Sequence, residues 1–163
     1  MRAGIALVGF MGSGKTTVGR ALARRLGWSF VDLDDRLASR HGPIADQIAL
    51  DGLGAFRRRE VAAAIELCDG RARVLATGGG TWIEREARDA LARGYLAVWL
   101  DAPLDVISAR VGDGDGRPLW DERVGMRYEE RRPLYATAPV RVDAEQPVER
   151  IVDQIVAAWS AST

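Results

Sequence analysis

Gly9-Phe10-Met11-Gly12-Ser13-Gly14-Lys15-Thr16 follows directly on the apolar run Ile5-Ala6-Leu7-Val8 and leads directly into a helical pattern. Strand, glycine-rich loop and helix in that order make a phosphate-binding P-loop. Its glycines let successive backbone N–H groups turn inward around phosphate oxygens, Lys15 reaches the outer phosphates, and the Thr16 hydroxyl is placed to ligate Mg²⁺. The positive end of the following helix strengthens the same field. Gly12, Ser13, Gly14, Lys15, Thr16 and the adjoining Thr17 are therefore expected to hold a nucleotide.

Outward from this loop, strand and helix signals alternate to the end of the chain. Val18, Leu22 and Leu26 recur at helical spacing over 16–26, and Gly27 is the stop signal. A short strand over 29–32 precedes helical segments over about 35–40, 44–50 and 56–68. No strand interrupts these three, so they look like an insertion packed over the sheet edge. Strands are then expected over 74–77, 95–100 and 140–142, between helices over 84–93 and 104–110, one ending over 128–135, and an amphipathic one over 148–159. Short Val, Leu and Ile strands alternating with helices predict an α/β fold. It is a P-loop α/β/α arrangement of three layers with a five-stranded parallel sheet, right-handed crossovers and ligands beyond the carboxyl ends of the strands. At 163 residues a single domain spanning 1–163 is expected.

Charge is balanced, with 23 basic and 23 acidic residues, which gives no basic stripe for nucleic acid and no membrane patch. Small anions are the expected partners. Cys68 is the only cysteine, so no internal disulfide forms and a reducing compartment fits. The first residues serve at once as a strand, leaving no room for a signal peptide, and no apolar run approaches the ~20 residues of a membrane span. A cytoplasmic protein is expected. No dimerisation stripe is evident, and a monomer is the expectation.

The polar motifs cluster at strand ends. Asp32-Leu33-Asp34 closes the second strand, where alternation would aim both carboxylates to one side: one for Mg²⁺ through water, the other for a substrate hydroxyl. The competing role is an N-cap, with Asp34 or Asp35 starting the next helix. The third strand lacks the aspartate of motor ATPases and switch GTPases, which argues against a motor. In Phe56-Arg57-Arg58-Arg59-Glu60, Arg57 and Glu60 share a helix face, so the carboxylate can fix an arginine that reads an anionic substrate. Gly78-Gly79-Gly80 is too long for an economical turn, and close approach of a ligand to bare backbone explains it better. Gly112-Asp113-Gly114-Asp115-Gly116-Arg117-Pro118-Leu119 brackets one arginine with glycines, as a lid over a transferring phosphate would.

Together these motifs resemble the shikimate kinase family of nucleoside-monophosphate-kinase-like P-loop kinases, over nearly the whole chain. The matches are G-x-x-G-x-G-K-[ST] at Gly9 to Thr16, D-x-D at Asp32 and Asp34, and F-R-x-x-E at Phe56, Arg57 and Glu60. They continue with G-G-G at Gly78 to Gly80, R-P-L at Arg117 to Leu119, and R-x-P-L-Y at Arg131, Pro133, Leu134 and Tyr135. The resemblance implies an ATP- and Mg²⁺-dependent kinase that phosphorylates the 3-hydroxyl of shikimate in aromatic amino-acid biosynthesis. It implies that Asp34, Arg57, Gly79, Gly80 and Arg131 bind shikimate, with both arginines on its carboxylate. Thr16 and, through water, Asp32 would serve Mg²⁺. Lys15 and Arg117 would act on the phosphates beside a catalytic Asp34, and Arg110 and Pro147 would sandwich the adenine. The substrate-binding region would span about 32–60 and a mobile lid about 112–123. Gln47 stands where an apolar residue is more usual, which leaves the shape of the substrate-side helices open. A gluconate or other polyol kinase would share the P-loop but not the paired arginines and lid. A nucleotide-sensing domain without turnover would have no reason to keep Lys15, Asp34, Arg117 and Arg131 together.

Overall fold

The structure, a computed structural model, describes residues 1–112 and 119–163. Five strands, β1 (Gly4–Val8), β2 (Ser29–Asp32), β3 (Arg73–Ala76), β4 (Tyr95–Asp101) and β5 (Val140–Asp143), form one parallel sheet in the order β2-β3-β1-β4-β5. The three inner strands are buried along their whole length, and apart from Arg73 at the start of β3 and Asp101 at the end of β4 they read as apolar runs. Edge strands β2 and β5 are partly exposed. Because β1 has β3 on one side and β4 on the other, the chain reverses direction of build across it. The crevice at such a reversal is where parallel sheets bind ligands. The P-loop leaves the end of β1 at that crevice.

Helices flank the sheet. α1 (Lys15–Leu26) and α8 (Val148–Ser162) pack on each other and on the strands, while α4 (Leu53–Glu66) and α5 (Arg85–Gly94) pack on each other, with α5 against β4. α6 (Leu104–Val111) and α7 (Val124–Tyr135) complete the second half. The expected insertion between β2 and β3 is three helices, α2 (Leu33–His41), α3 (Ile44–Asp51) and α4, broken at Gly42 and Gly52. α4 starts at Leu53, three residues before the expected start at position 56, and α2 starts at Leu33 instead of position 35. Gln47 is buried where the sequence pattern favours an apolar side chain, and its amide explains the exception. Nε2 donates to the carbonyls of Leu37 at 3.2 Å and Gly42 at 2.7 Å, and Oε1 accepts from Arg59 at 3.3 Å. One polar side chain thereby ties together all three insertion helices, and its buried groups are met.

Gly27 ends α1 in the left-handed region at φ 68, with its N–H on the carbonyls of Ala23 and Arg24, and a Cβ there would meet nothing within 4 Å. Gly27→Ala should therefore cost only the backbone strain, about 1 kcal/mol. That lowers the melting temperature by roughly 2–4 °C in a chain of this size. A melting temperature equal to the unsubstituted protein's would mean that the helix end relaxes to another conformation.

Candidate active site

The P-loop binds its own lysine. Gly12 and Gly14 take positive φ of 78 and 101, and Gly14 caps α1 without any side-chain acceptor, which leaves the first-turn N–H groups facing the loop. Lys15, only 9% exposed, donates from Nζ to the carbonyls of Gly9 and Phe10 at 2.8 Å each. The ammonium is thus stored against the loop and does not project into open solvent. Met11 to Val18 line one long cleft together with Asp32, Asp34, Thr77 and Gly79. On the far side the cleft is bounded by Arg110, Ala144, Gln146, Val148 and Ile151. Arg110 is held across it, donating to the carbonyls of Ser13 at 3.2 Å and Ala144 at 2.7 Å. Pro147 starts α8 between two lining residues, Gln146 and Val148, without itself lining the cleft.

Asp32 and Asp34 do come together, but not by strand alternation. β2 stops at Asp32, whose Oδ1 accepts from the N–H groups of Asp34 at 3.0 Å and Asp35 at 3.3 Å, so Asp32 is the N-cap of α2 and Asp34 sits in its first turn. The other oxygen, Oδ2, accepts from the Thr16 hydroxyl at 2.6 Å. Among the described residues no group of three or more His, Cys, Asp and Glu could hold a metal. Two hard oxygen donors beside a phosphate loop nonetheless fit an ion that takes few protein ligands and keeps waters and phosphate oxygens, as Mg²⁺ does. Asp34 is pushed up to about 6, first by burial, then by the charges of Glu60 and Asp32, against the pull of Lys15 and Arg57.

The acceptor side is built on the turn after β3. Arg57 and Glu60 form an ion pair one helical turn apart on α4, as their spacing predicts, with Glu60 only 1% exposed. Glu60 Oε1 also accepts from the Thr81 hydroxyl at 2.8 Å. Where close approach of a ligand is the expected reason for the glycine triplet, the protein's own side chains crowd Gly78 and Gly80. A Cβ on Gly78 would lie 2.2 Å from Glu60 Oε1 and 3.0 Å from Asp34 Oδ1, and one on Gly80 would lie 2.1 Å from Arg57 Nη1. Gly79, which lines the cleft, has Arg131 Nη1 at 3.6 Å from such a position. Arg131 reaches this point from α7, over the ring of Phe10 at 5.8 Å, and its Nη1 is buried with no hydrogen-bond partner among the described residues. Burial pushes its guanidinium below the usual range, with Tyr135 opposing and the neighbouring Arg57 charge adding to the shift. The Tyr135 hydroxyl donates to the Gly79 carbonyl.

The structure thus brings Lys15, Thr16, Asp32, Asp34 and Gly79 to one cleft with Arg110 across it, and sets Arg57 and Arg131 against Gly80 and Gly79 beside it. Arg117 and half of the expected lid, residues 113–118, lie outside the described residues. Sequence analysis gave no role to Thr81, Trp82 or the Tyr135 hydroxyl, which fix the acceptor turn. A threonine or tryptophan after three glycines carries no pattern that announces a buried hydrogen bond.

The family model described as "Shikimate kinase" matches residues 11–160. The chain is 41% identical over 162 residues to a shikimate kinase of Ruegeria pomeroyi, covering 94% of this chain and 83% of that protein. To a shikimate kinase of Moorella thermoacetica it is 37% identical over 171 residues, covering 99% of each. Its fold is similar to a solved shikimate kinase from Acinetobacter baumannii in complex with shikimate, with TM-score 0.92, 32% identity and coverage of 100% of this chain and 96% of that one.

Proposed function

The chain belongs to the shikimate kinase family, and from that premise we propose that it transfers the γ-phosphoryl group of ATP to the 3-hydroxyl of shikimate, giving shikimate 3-phosphate and ADP. One observation carries the substrate side of this reading. Two arginines from different helices, Arg57 on α4 and Arg131 on α7, converge over adjacent glycines beside Asp34, and Arg131 Nη1 is buried with no acceptor among the described residues. A compact acid with a ring carboxylate supplies that acceptor and brings a hydroxyl within reach of Asp34.

Phosphoryl transfer of this kind is mostly positioning and charge stabilisation. The first-turn N–H groups of α1 and the P-loop backbone hold the phosphates. Lys15 leaves the carbonyls of Gly9 and Phe10 for the phosphate oxygens and meets the charge that grows there. Asp34, whose carboxyl is pushed up to about 6 by its buried surroundings and so gains basicity while still ionised at neutral pH, accepts the hydrogen bond of the attacking hydroxyl and aims its oxygen at the γ-phosphorus. Thr16 and, through water, Asp32 would hold Mg²⁺, which supplies charge neutralisation at the β- and γ-phosphates when bound. Arg110 would rest on the adenine. Pro147 is proposed as its opposite face, and Arg117 as a second cation on the transferring group. The proposal extends to a monomer working in the cytoplasm, in keeping with the lone thiol and balanced charge.

A coupled ADP-release assay tests it. Shikimate should drive turnover far above the ATPase background, and gluconate should not. Turnover with gluconate in place of shikimate would make the chain a polyol kinase, and nucleotide binding without turnover would make it a sensor.

A further inference from the structure

The turn after β3 is fastened on two sides by consecutive residues. Thr81 and Trp82 are 0% and 1% exposed, and backbone bonds from Thr81 N–H to the Gly78 carbonyl at 3.2 Å and from Ile83 N–H to the Gly80 carbonyl at 3.1 Å set their directions. Trp82 Nε1 donates to the Leu134 carbonyl at 3.0 Å and to Thr137 Oγ1 at 3.2 Å, at the end of α7. Thr81 donates instead to Glu60 Oε1 on α4 at 2.8 Å, and Glu60 Oε2 holds Arg57. The turn is therefore a brace between the two helices that carry the arginines.

Within the kinase reading above, we propose that Thr81 is a positioning residue for the substrate carboxylate, fixing the rotamer of Glu60 and through it the guanidinium of Arg57. The Glu60 carboxylate is buried and lies next to a second one, since Glu60 Oε1 and Asp34 Oδ1 both crowd the same face of Gly78. A buried carboxylate oxygen needs a donor, and near another carboxylate the need is greater. The Thr81 hydroxyl supplies it, which keeps Oε1 facing the turn and leaves Oε2 for Arg57. Without that donor Glu60 rotates towards Arg57, its remaining cation, and shifts the guanidinium from its seat over Gly80. A guanidinium fork grips a carboxylate through two parallel bonds in one plane, so a tilt weakens substrate binding. The ATP phosphates, held by the P-loop, are untouched by it.

Thr81→Val keeps the volume and removes the hydroxyl. Relative to the unsubstituted enzyme it should raise the KM for shikimate roughly five- to tenfold while kcat and the KM for ATP stay within about twofold. Thr81→Ser should restore the KM to within about twofold, and Thr81→Ala should fall between the two. Should the valine variant not fold, the alanine and serine pair carries the same comparison. In an Arg57→Ala background, Thr81→Val should add nothing, because the effect runs through Arg57. An unchanged shikimate KM in Thr81→Val, an equal rise for ATP, or an additive effect in the Arg57→Ala background would each overturn the inference. If the unsubstituted protein releases no ADP with shikimate, the kinase reading falls and this one with it.

Discussion

Lys15→Ala should lower kcat by a factor on the order of 10³, because the ammonium meets charge that develops on the phosphate oxygens only as the bond to the leaving group stretches. The structure adds a second effect. Nζ sits on the carbonyls of Gly9 and Phe10, so the variant also loses two charge-assisted hydrogen bonds within the loop and should melt a few degrees lower. The two effects are separable: ATP analogue binding and circular dichroism report the fold, and the coupled assay reports kcat. A kcat within about tenfold of the unsubstituted enzyme would mean that the loop binds nucleotide without serving the transfer.

The second large effect divides the arginines by the protein groups that hold each one. Arg57→Ala and Arg131→Ala should each cost roughly 2–4 kcal/mol of acid binding, about 30- to 1,000-fold in the KM for shikimate, with little change for ATP. Their stabilities should move apart. Arg57 neutralises the buried Glu60, so removing it strands a carboxylate beside Asp34 and should lower the melting temperature clearly. Arg131 has a buried Nη1 with no partner among the described residues, so its removal should leave the protein without substrate as stable as before or more so. Equal destabilisation by both variants would contradict the view that Arg131 is held in readiness for an anion. A matched loss of ATP affinity would remove both from the acid.

Why so much of the fold is legible follows from its class. The buried inner strands β1, β3 and β4 must be apolar on both faces, and each helix that follows must stop before the next strand, so runs such as Leu96 to Leu100 and stops such as Gly27 stand out. The phosphate half of the site is equally legible, because backbone conformation dictates its glycines. The acceptor half is less so. Asp32-Leu33-Asp34 reads equally as a strand end or a cap, and only the backbone direction after Asp32 decides, placing Asp34 on a helix. Nor does spacing reveal that Glu60 is 1% exposed while Arg58, two residues earlier, is on the exposed side. That difference comes from the long-range approach of the turn after β3, which no local periodicity encodes. Gln47 is a similar case, since its partners Leu37, Gly42 and Arg59 lie on α2, in the break after it and on α4.

The double engagement of Asp32 limits which residues evolution or a designer could place there. Glutamate would preserve the negative charge, but its extra methylene carries the carboxylate past the first-turn N–H groups of Asp34 and Asp35. Asparagine would keep the cap and present an amide to Thr16, with no charge for a cation. Serine would cap as well and lose the reach to the P-loop. Each substitute satisfies one neighbour and fails the other, so position 32 admits a single side chain for two unrelated reasons. Its tolerance to mutation should be far narrower than its modest burial suggests.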